Sequence, residues 1–368
     1  MQQFFRTQPG HGGNLTWAAS LAGCSPVDIL DFSASISPLG PPQSAIDAIQ
    51  AHLIDLPHYP DPNYTSLKQA LAQLHHLSPE WILPGNGSAE LLTWASRELA
   101  SLQTTHLITP AFGDYLRALK AFDANVVRCP LQLEIAADGA AQVQFSWRSV
   151  LTESQQAGLL INNPHNPTGK LFQVDDLLPL LERFALVVID EAFMDFLPPE
   201  QQQSLIDRIA DFPNLVILRS LTKFYSLAGL RLGYAIAHPD RLNHWQQWRD
   251  PWSVNVLAIA AAEAVLQDTE FQQQTWNWLP PARQQLFEGL KTLPGLCPFP
   301  GTANYLLVQS TVSTVELQHR LLKQSQILIR DCTSFPELGD RFFRVAVRTG
   351  SDNEMLLRGL RKGMEFEG

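Results

Sequence analysis

Beyond residue 100, short apolar runs alternate with stretches long enough to form helices. The runs are His106-Leu107-Ile108, Val126-Val127, Leu159-Leu160-Ile161, Leu186-Val187-Val188-Ile189 and Val216-Ile217-Leu218. Buried strands joined by helical crossovers read this way, so the fold class expected is α/β, with a mostly parallel sheet covered on both faces. Ligands of such sheets collect at loops beyond the strand C-termini. The residues that follow these runs therefore carry the functional reading. They are Phe112 in Thr109-Pro110-Ala111-Phe112-Gly113, Asn166 in Asn163-Pro164-His165-Asn166-Pro167-Thr168-Gly169, the pair Asp190-Glu191, and Lys223.

At 368 residues the chain exceeds one ordinary domain, and two is the natural expectation. A change of pattern comes near Asp250-Pro251-Trp252-Ser253-Val254-Asn255, where an alanine-rich helix begins. Later strands (Asn304 to Val308, Ile327 to Arg330, Phe342 to Arg348) sit among helices at Thr314–Gln324 and Asp352–Met364, the latter opened by a Ser351…Glu354 capping box. This makes a smaller α+β unit. Along the last strand Arg344, Ala346 and Arg348 share one face; either one of the arginines meets an anionic substrate or both are surface charges. The net charge is −10, with no basic block, which argues against nucleic acid as a partner. Cys24, Cys129, Cys297 and Cys332 are scattered without metal-ligand spacing, so no metal is expected. No signal-like or transmembrane-length run is present, and the expectation is a cytoplasmic protein.

Ahead of the alternating region, Gln8-Pro9-Gly10-His11-Gly12-Gly13-Asn14 is a glycine-rich loop with one histidine. A strand at Ile29 to Phe32 runs into the proline-stiffened Ser33 to Pro42 connector, and a helix is expected around Ala45 to Leu53. After the turn His58-Tyr59-Pro60-Asp61-Pro62, a helix places Leu67, Leu71 and Leu74 on one face. Pro84-Gly85-Asn86-Gly87 reads as a glycine turn entering a helix at Ser88-Ala89, whose free N–H groups make either an anion site or an ordinary N-cap.

The most informative stretch runs from Leu218 to Tyr234. Lys223 lies in apolar surroundings, flanked by Ser220 and Thr222, with Arg231 eight residues on. Burial and a nearby cation depress a lysine pKa and make the amine nucleophilic, while hydroxyls and an arginine suit a phosphate. The combination points to pyridoxal 5′-phosphate (PLP). Asp190 can then keep the pyridine nitrogen protonated, and Asn166 can donate to the 3-oxygen. Ser88, Ala89, Ser220 and Arg231 can surround the phosphate, and Phe112 can stack on the ring.

These motifs, together with His11 to Asn14, Asp31 to Gly40 and Asp190 to Phe196, resemble the histidinol-phosphate aminotransferase branch of fold-type I PLP-dependent enzymes. Within that branch they are most similar to its threonine-phosphate decarboxylases. The resemblance, which reaches from residue 11 to residue 348, implies a large PLP-binding domain over 45–265, with 1–44 and 266–368 forming the N-terminal segment and the small domain. It implies that Lys223 holds the cofactor covalently and that Asp190 faces its ring nitrogen. Arg344 is implied at the substrate α-carboxylate, with Arg330, His11 and Gly12 around the substrate phosphate. Tyr59 is implied to reach the cofactor phosphate of a second subunit, making a homodimer with shared sites.

The implied activity is decarboxylation of O-phospho-L-threonine to (R)-1-amino-2-propanol O-2-phosphate for cobalamin synthesis. The alternative is transamination of histidinol phosphate. Two departures, at three positions, matter. Ser35 and Ser37 stand where decarboxylases have asparagines, which opens the choice between threonine phosphate and serine phosphate at Ser35. Phe193 stands where the aminotransferases have a tyrosine, in agreement with the decarboxylases.

Overall fold

A computed structural model describes residues 10–137, 139–147, 150 and 156–364. Gln8 and Pro9 of the glycine-rich loop, with the rest of 1–9 and 365–368, lie outside the described residues. Helix α1 (Leu15–Ala22) starts where the Trp17 N–H donates to the Asn14 side chain, an N-cap. Strand β1 (Leu30–Asp31) and helices α2 (Gln43–Ala51) and α3 (Thr65–His75) follow. Next come β2 (Ile82–Asn86), α4 (Ser88–Ala100), β3 (Thr104–Thr109), α5 (Gly113–Lys120) and β4 (Val126–Pro130). A hairpin of β5 (Gln132–Ile135) and β6 (Ala141–Gln144) precedes β7 (Ala157–Asn162), α6 (Val174–Leu181) and β8 (Leu186–Asp190). β9 (Leu215–Ser220), the one-turn α7 (Leu221–Phe224) and β10 (Leu232–Ala237) then lead into α8 (Pro239–Gln246), α9 (Val256–Leu266) and α10 (Thr269–Lys291). The last part holds β11 (Leu296–Pro298), β12 (Tyr305–Ser310), α11 (Thr314–Ser325), β13 (Ile327–Leu328), β14 (Arg330–Asp331), β15 (Phe342–Ala346) and α12 (Gly350–Met364).

Seven strands form the main sheet in the order β2-β10-β9-β8-β7-β3-β4. All are parallel except β10, which runs antiparallel to both β2 and β9. The alternation of side chains along a strand explains why the central runs are apolar at every position. Leu159, Ile161, Val187, Ile189, Leu215 and Ile217 enter one core cluster, while Leu160, Val188, Val216 and Leu218 enter another on the opposite face. Asn162 pairs in register with Asp190, and Asp190 with Leu218. The C-terminal ends of three strands are thereby aligned. A second, antiparallel sheet has the order β11-β12-β15-β14, and β1 pairs with β13, joining the N-terminal segment to the C-terminal part of the chain.

Several local expectations differ from what the structure has. Pro84-Gly85-Asn86 belongs to β2, and only Gly87, at φ +74°, makes the turn. Leu67 and Leu71 are buried, but Leu74 is 45% exposed. The run Ile327 to Arg330 is not one strand: Ile329 separates β13, paired with β1, from β14, paired with β15. β15 ends at Ala346, so Arg348 leaves the sheet and its Nε bonds Asp352 at 3.0 Å. The first turn of α12 uses Thr349, whose Oγ1 accepts from the Asp352 N–H at 3.2 Å, and not a Ser351…Glu354 box.

The antiparallel strand β10 requires glycine where it passes α4. A Cβ added at Gly233 would fall 2.5 Å from the Ser88 nitrogen and 2.7 Å from the Arg219 carbonyl oxygen, both backbone. Gly233→Ala is expected to cost about 1–3 kcal/mol and to lower the guanidinium unfolding midpoint. Gly229→Ala, whose added Cβ would meet nothing within 4 Å, should leave it in place. Equal midpoints would mean that α4 can retreat from the strand without penalty.

Candidate active site

A cavity of about 220 Å³ opens beyond the ends of β7, β8 and β9. His11, Gly12, Ser35, Ser88, Ala89, Phe112, Asn166, Asp190, Ser220, Lys223, Arg231 and Arg344 all line it. Arg330 lines a small adjoining cleft with His11, Gly12 and Ser33. Tyr59 lines neither; it is 80% exposed, with its ring 4.7 Å from that of Trp252. A wider surface groove of about 540 Å³ between Arg97, Arg241 and Trp248 contains none of these residues, and its Arg241 already pairs with Glu98 at 2.9 Å.

Asp190 ends β8 and is buried, at 7% exposure. Its Oδ2 accepts from the Tyr115 hydroxyl at 2.7 Å and its Oδ1 from the Ala192 N–H at 3.0 Å. Burial pushes its carboxyl above the usual range, against the lowering effect of those two donors and of Lys223. Lys223 sits in α7, immediately after β9. Burial, then the charges of Arg344 and Arg231, bring its amine down to about 8, with Asp190 opposing. Such an amine is substantially neutral, and so nucleophilic, in mildly alkaline solution.

The first turn of α4 reaches the cavity beside Arg231. Gly87 caps this helix without a side-chain acceptor, which leaves the first N–H groups for an anion. A Cβ added at Gly87 would lie 2.5 Å from Arg231 Nη2, so the guanidinium rests on the bare glycine. Ser220 Oγ and Thr222 Oγ1, 2.8 Å apart, complete this corner.

At the opposite side Arg344 Nη1 donates to Asn166 Oδ1 at 2.5 Å and Nη2 to the Ser33 carbonyl at 3.2 Å. Its guanidinium carbon lies 4.9 Å from the Tyr305 ring centroid. Among the described residues the buried Arg344 Nε and Ser35 Oγ have no partner. Arg330 Nη2 donates to the Gly10 carbonyl and to Ser334 Oγ, each at 2.5 Å. His11 Nε2 is 3.7 Å from Asp114 Oδ1, and its ring is 5.6 Å from that of Phe112.

A flat, cationic-ringed ligand carrying a phosphate and an aldehyde fits this donor set. There is an amine for the aldehyde, a buried carboxylate for the ring nitrogen, an amide for a ring oxygen, and a helix N-terminus with Arg231 for the phosphate. Sequence reasoning passed over Asp114, Tyr115, Asn162 and Ser33, which also line the cavity. Only for Tyr115 was a local signal available, since it follows Phe112 by three positions and so lies one helical turn away.

The chain belongs to the aminotransferase class I and II family, whose model matches residues 27–362. It is 40% identical over 356 residues to a threonine-phosphate decarboxylase of Salmonella typhimurium, covering 95% of each chain. It is 30% identical over 358 residues to an adenosylcobalamin biosynthesis bifunctional protein of Leptospira interrogans, covering 95% of this chain and 40% of that longer one. The histidinol-phosphate aminotransferase structure from Clostridium acetobutylicum superposes with a TM-score of 0.82 at 28% identity, covering 92% of this chain and 99% of that one.

The electrostatics of Lys223 can be tested in the cofactor-free protein. Amine labelling of Lys223, followed against pH by mass spectrometry, should show a midpoint near 8, below the ordinary lysine value of about 10.4. Arg344→Gln should move it up and Asp190→Asn down. A Lys223 cation is less favourable folded than unfolded, so stability should rise with pH between the two values as the native amine loses its proton first. A midpoint that ignores both substitutions would remove these charges from the control of the amine.

Proposed function

We propose that this chain is a PLP-dependent decarboxylase of O-phospho-L-threonine. It would release carbon dioxide and form (R)-1-amino-2-propanol O-2-phosphate for cobalamin synthesis. The observation that carries this reading is the 40% identity to the Salmonella decarboxylase over nearly the whole of both chains, against 31% over 93% of this chain to a histidinol-phosphate aminotransferase of Nitrosospira multiformis and 35% over 78% to one of Ralstonia nicotianae. The 30% identity to the Leptospira bifunctional protein supports the pathway. Phe193 agrees: it lines the cavity with no hydroxyl to offer and packs edge-on against Tyr305, ring centroids 4.9 Å apart.

When bound, PLP supplies an electron sink for the pair left behind as the carboxylate departs. The residues of the chain do the rest. Lys223 would hold the cofactor through Nζ and, once its amine is free, would return a proton to Cα. Asp190 keeps the ring nitrogen protonated, Asn166 bonds the 3-oxygen, and Phe112 covers the ring. Ser88, Ala89, Ser220 and Arg231 hold the cofactor phosphate. Arg344 and Ser35 take the substrate α-carboxylate side, and Arg330 with His11 and Gly12 takes the substrate phosphate. Arg344 and Arg330 would thus hold one substrate by its two anionic groups, an arrangement that serves decarboxylation or transamination according to rotation about one bond.

Residues 45–265 form the cofactor-binding unit in this reading, with 1–44 and 266–368 closing on it. The working form is a cytoplasmic homodimer. Leu53, Ile54, Leu56, Tyr59 and Trp252 are all exposed, an apolar surface suited to a second copy whose cofactor phosphate Tyr59 would reach. Among the described residues no helix is long and apolar enough to cross a membrane.

Purified enzyme should release carbon dioxide from O-phospho-L-threonine with no 2-oxo acid added. Glutamate formation from histidinol phosphate plus 2-oxoglutarate, without decarboxylation, would establish the aminotransferase instead. Losing a charged hydrogen bond to a desolvated phosphate costs about 1.5–3 kcal/mol, so Arg330→Ala should lower kcat/KM for phosphothreonine by about ten- to a hundredfold. Bound PLP, read by absorbance, should be unaffected. Loss of PLP instead would merge the two phosphate sites into one.

A further inference from the structure

We infer that Tyr115 is a positioning residue for the cofactor ring, its hydroxyl holding Asp190 as the carboxylate that keeps the ring nitrogen protonated. This rests on the PLP reading above and adds a residue that the sequence pattern did not single out. Tyr115 is 3% exposed, within the cluster of Leu91, Leu92 and Leu119. A tyrosine that served packing alone would not need its oxygen there. Instead the hydroxyl donates to Asp190 Oδ2 at 2.7 Å.

The energetics make that donor consequential. Burial opposes the charged form of Asp190, and three groups counter it: the Tyr115 hydroxyl, the Ala192 N–H and the Lys223 cation. The Lys223 charge is available only while its amine is free and protonated. Once the amine is engaged by the cofactor, the two hydrogen bonds remain, one on each carboxylate oxygen. Burial and the Asp190 charge push the Tyr115 phenol well above its ordinary value, so it stays a donor across the working pH range. A neutral Asp190 would leave the ring nitrogen without its proton, and Tyr115 favours the charged form.

Helix α5 links this donor to a second contact. Phe112, at its N-cap, meets Tyr115 edge-on with ring centroids 5.7 Å apart. The residue that would cover the ring and the donor behind the ring nitrogen are thus fixed to one helical turn. Displacing α5 would disturb both together.

The test is ¹⁵N NMR of protein reconstituted with PLP labelled at the ring nitrogen. Wild-type protein should give a pyridinium-type resonance. Tyr115→Phe, which deletes one oxygen from a packed ring, should move it toward the neutral-pyridine position and weaken PLP binding by about tenfold. Incorporation of 3-fluorotyrosine at position 115 keeps the shape and strengthens the donor, so it should shift the resonance the opposite way, whether or not the phenylalanine variant folds. A ¹⁵N position unchanged by both substitutions, even with a lowered melting temperature, would reduce Tyr115 to packing and overturn the inference. Wild-type protein that takes up no PLP would instead overturn the reading on which it rests.

Discussion

Arg219, 1% exposed, is the charge around which the strand ends are set. Its Nε lies 2.8 Å from Glu191 Oε2, and its other nitrogens reach Asp195 and Gln202. A guanidinium cannot shed its proton at ordinary pH, so burying it demands carboxylates in a fixed geometry. Burial drives Glu191 up to about 7, with Arg219 the main force against it. The cluster ties the loop after β8 to the end of β9. Asp190 immediately precedes Glu191, and Lys223 lies four residues beyond Arg219. Breaking such a cluster by removing one partner is far costlier than never having built it, so the spacing of Asp190 and Lys223 is held by charges outside the cavity lining.

The cavity above this cluster has an excess of cations. Lys223, Arg231 and Arg344 face it and Arg330 adjoins it, against Asp190 and Asp114. Burial lowers the proton affinity of Arg344, as it does that of Lys223, and Arg330 adds to it. Like charges gathered in this way favour an anion among them. The three arginines fall into two sets: Arg231 with the first turn of α4, and Arg344 with Arg330 on the small sheet. That division follows from topology, because β10 feeds the first set and neighbouring strands β14 and β15 feed the second.

Much of this was legible in the chain itself. The central strands were visible because both faces are covered, so Leu186 to Ile189 is apolar without interruption. β2 and β10 were not, because Pro84-Gly85 and Leu232-Gly233 carry the residues of turns. Their glycines answer to α4: a Cβ at Gly85 would fall 2.8 Å from Leu91 Cγ, and one at Gly233 would strike the Ser88 nitrogen. No local pattern contains that helix's approach. Among the residues that line the cavity, those in strand-end motifs could be read directly, because they directly follow the strands. For Tyr115 the spacing from Phe112 pointed to the cavity, but not to its bond with Asp190, 75 positions away. Arg344 and Arg348 looked alike on one strand face until the strand ended between them, leaving the first buried and the second paired with Asp352.

The link between the two sides of the cavity runs through the amide of Asn166. A guanidinium has donors only, so the atom facing Arg344 Nη1 at 2.5 Å must be the amide oxygen. The backbone N–H of Asn166 is separately engaged by Asn162 Oδ1 at 2.7 Å, and Asn162 is itself anchored to the Asp190 carbonyl at 2.7 Å. With the oxygen fixed, the amide nitrogen is left to donate, which is what the 3-oxygen of PLP requires on the proposed reading. The arginine that would take the substrate carboxylate therefore also sets the orientation of the amide that would hold the cofactor. Substrate binding that draws Arg344 toward a carboxylate would loosen its hold on Asn166. On the proposed reading, cofactor tilt and substrate capture would be coupled through this one hydrogen bond.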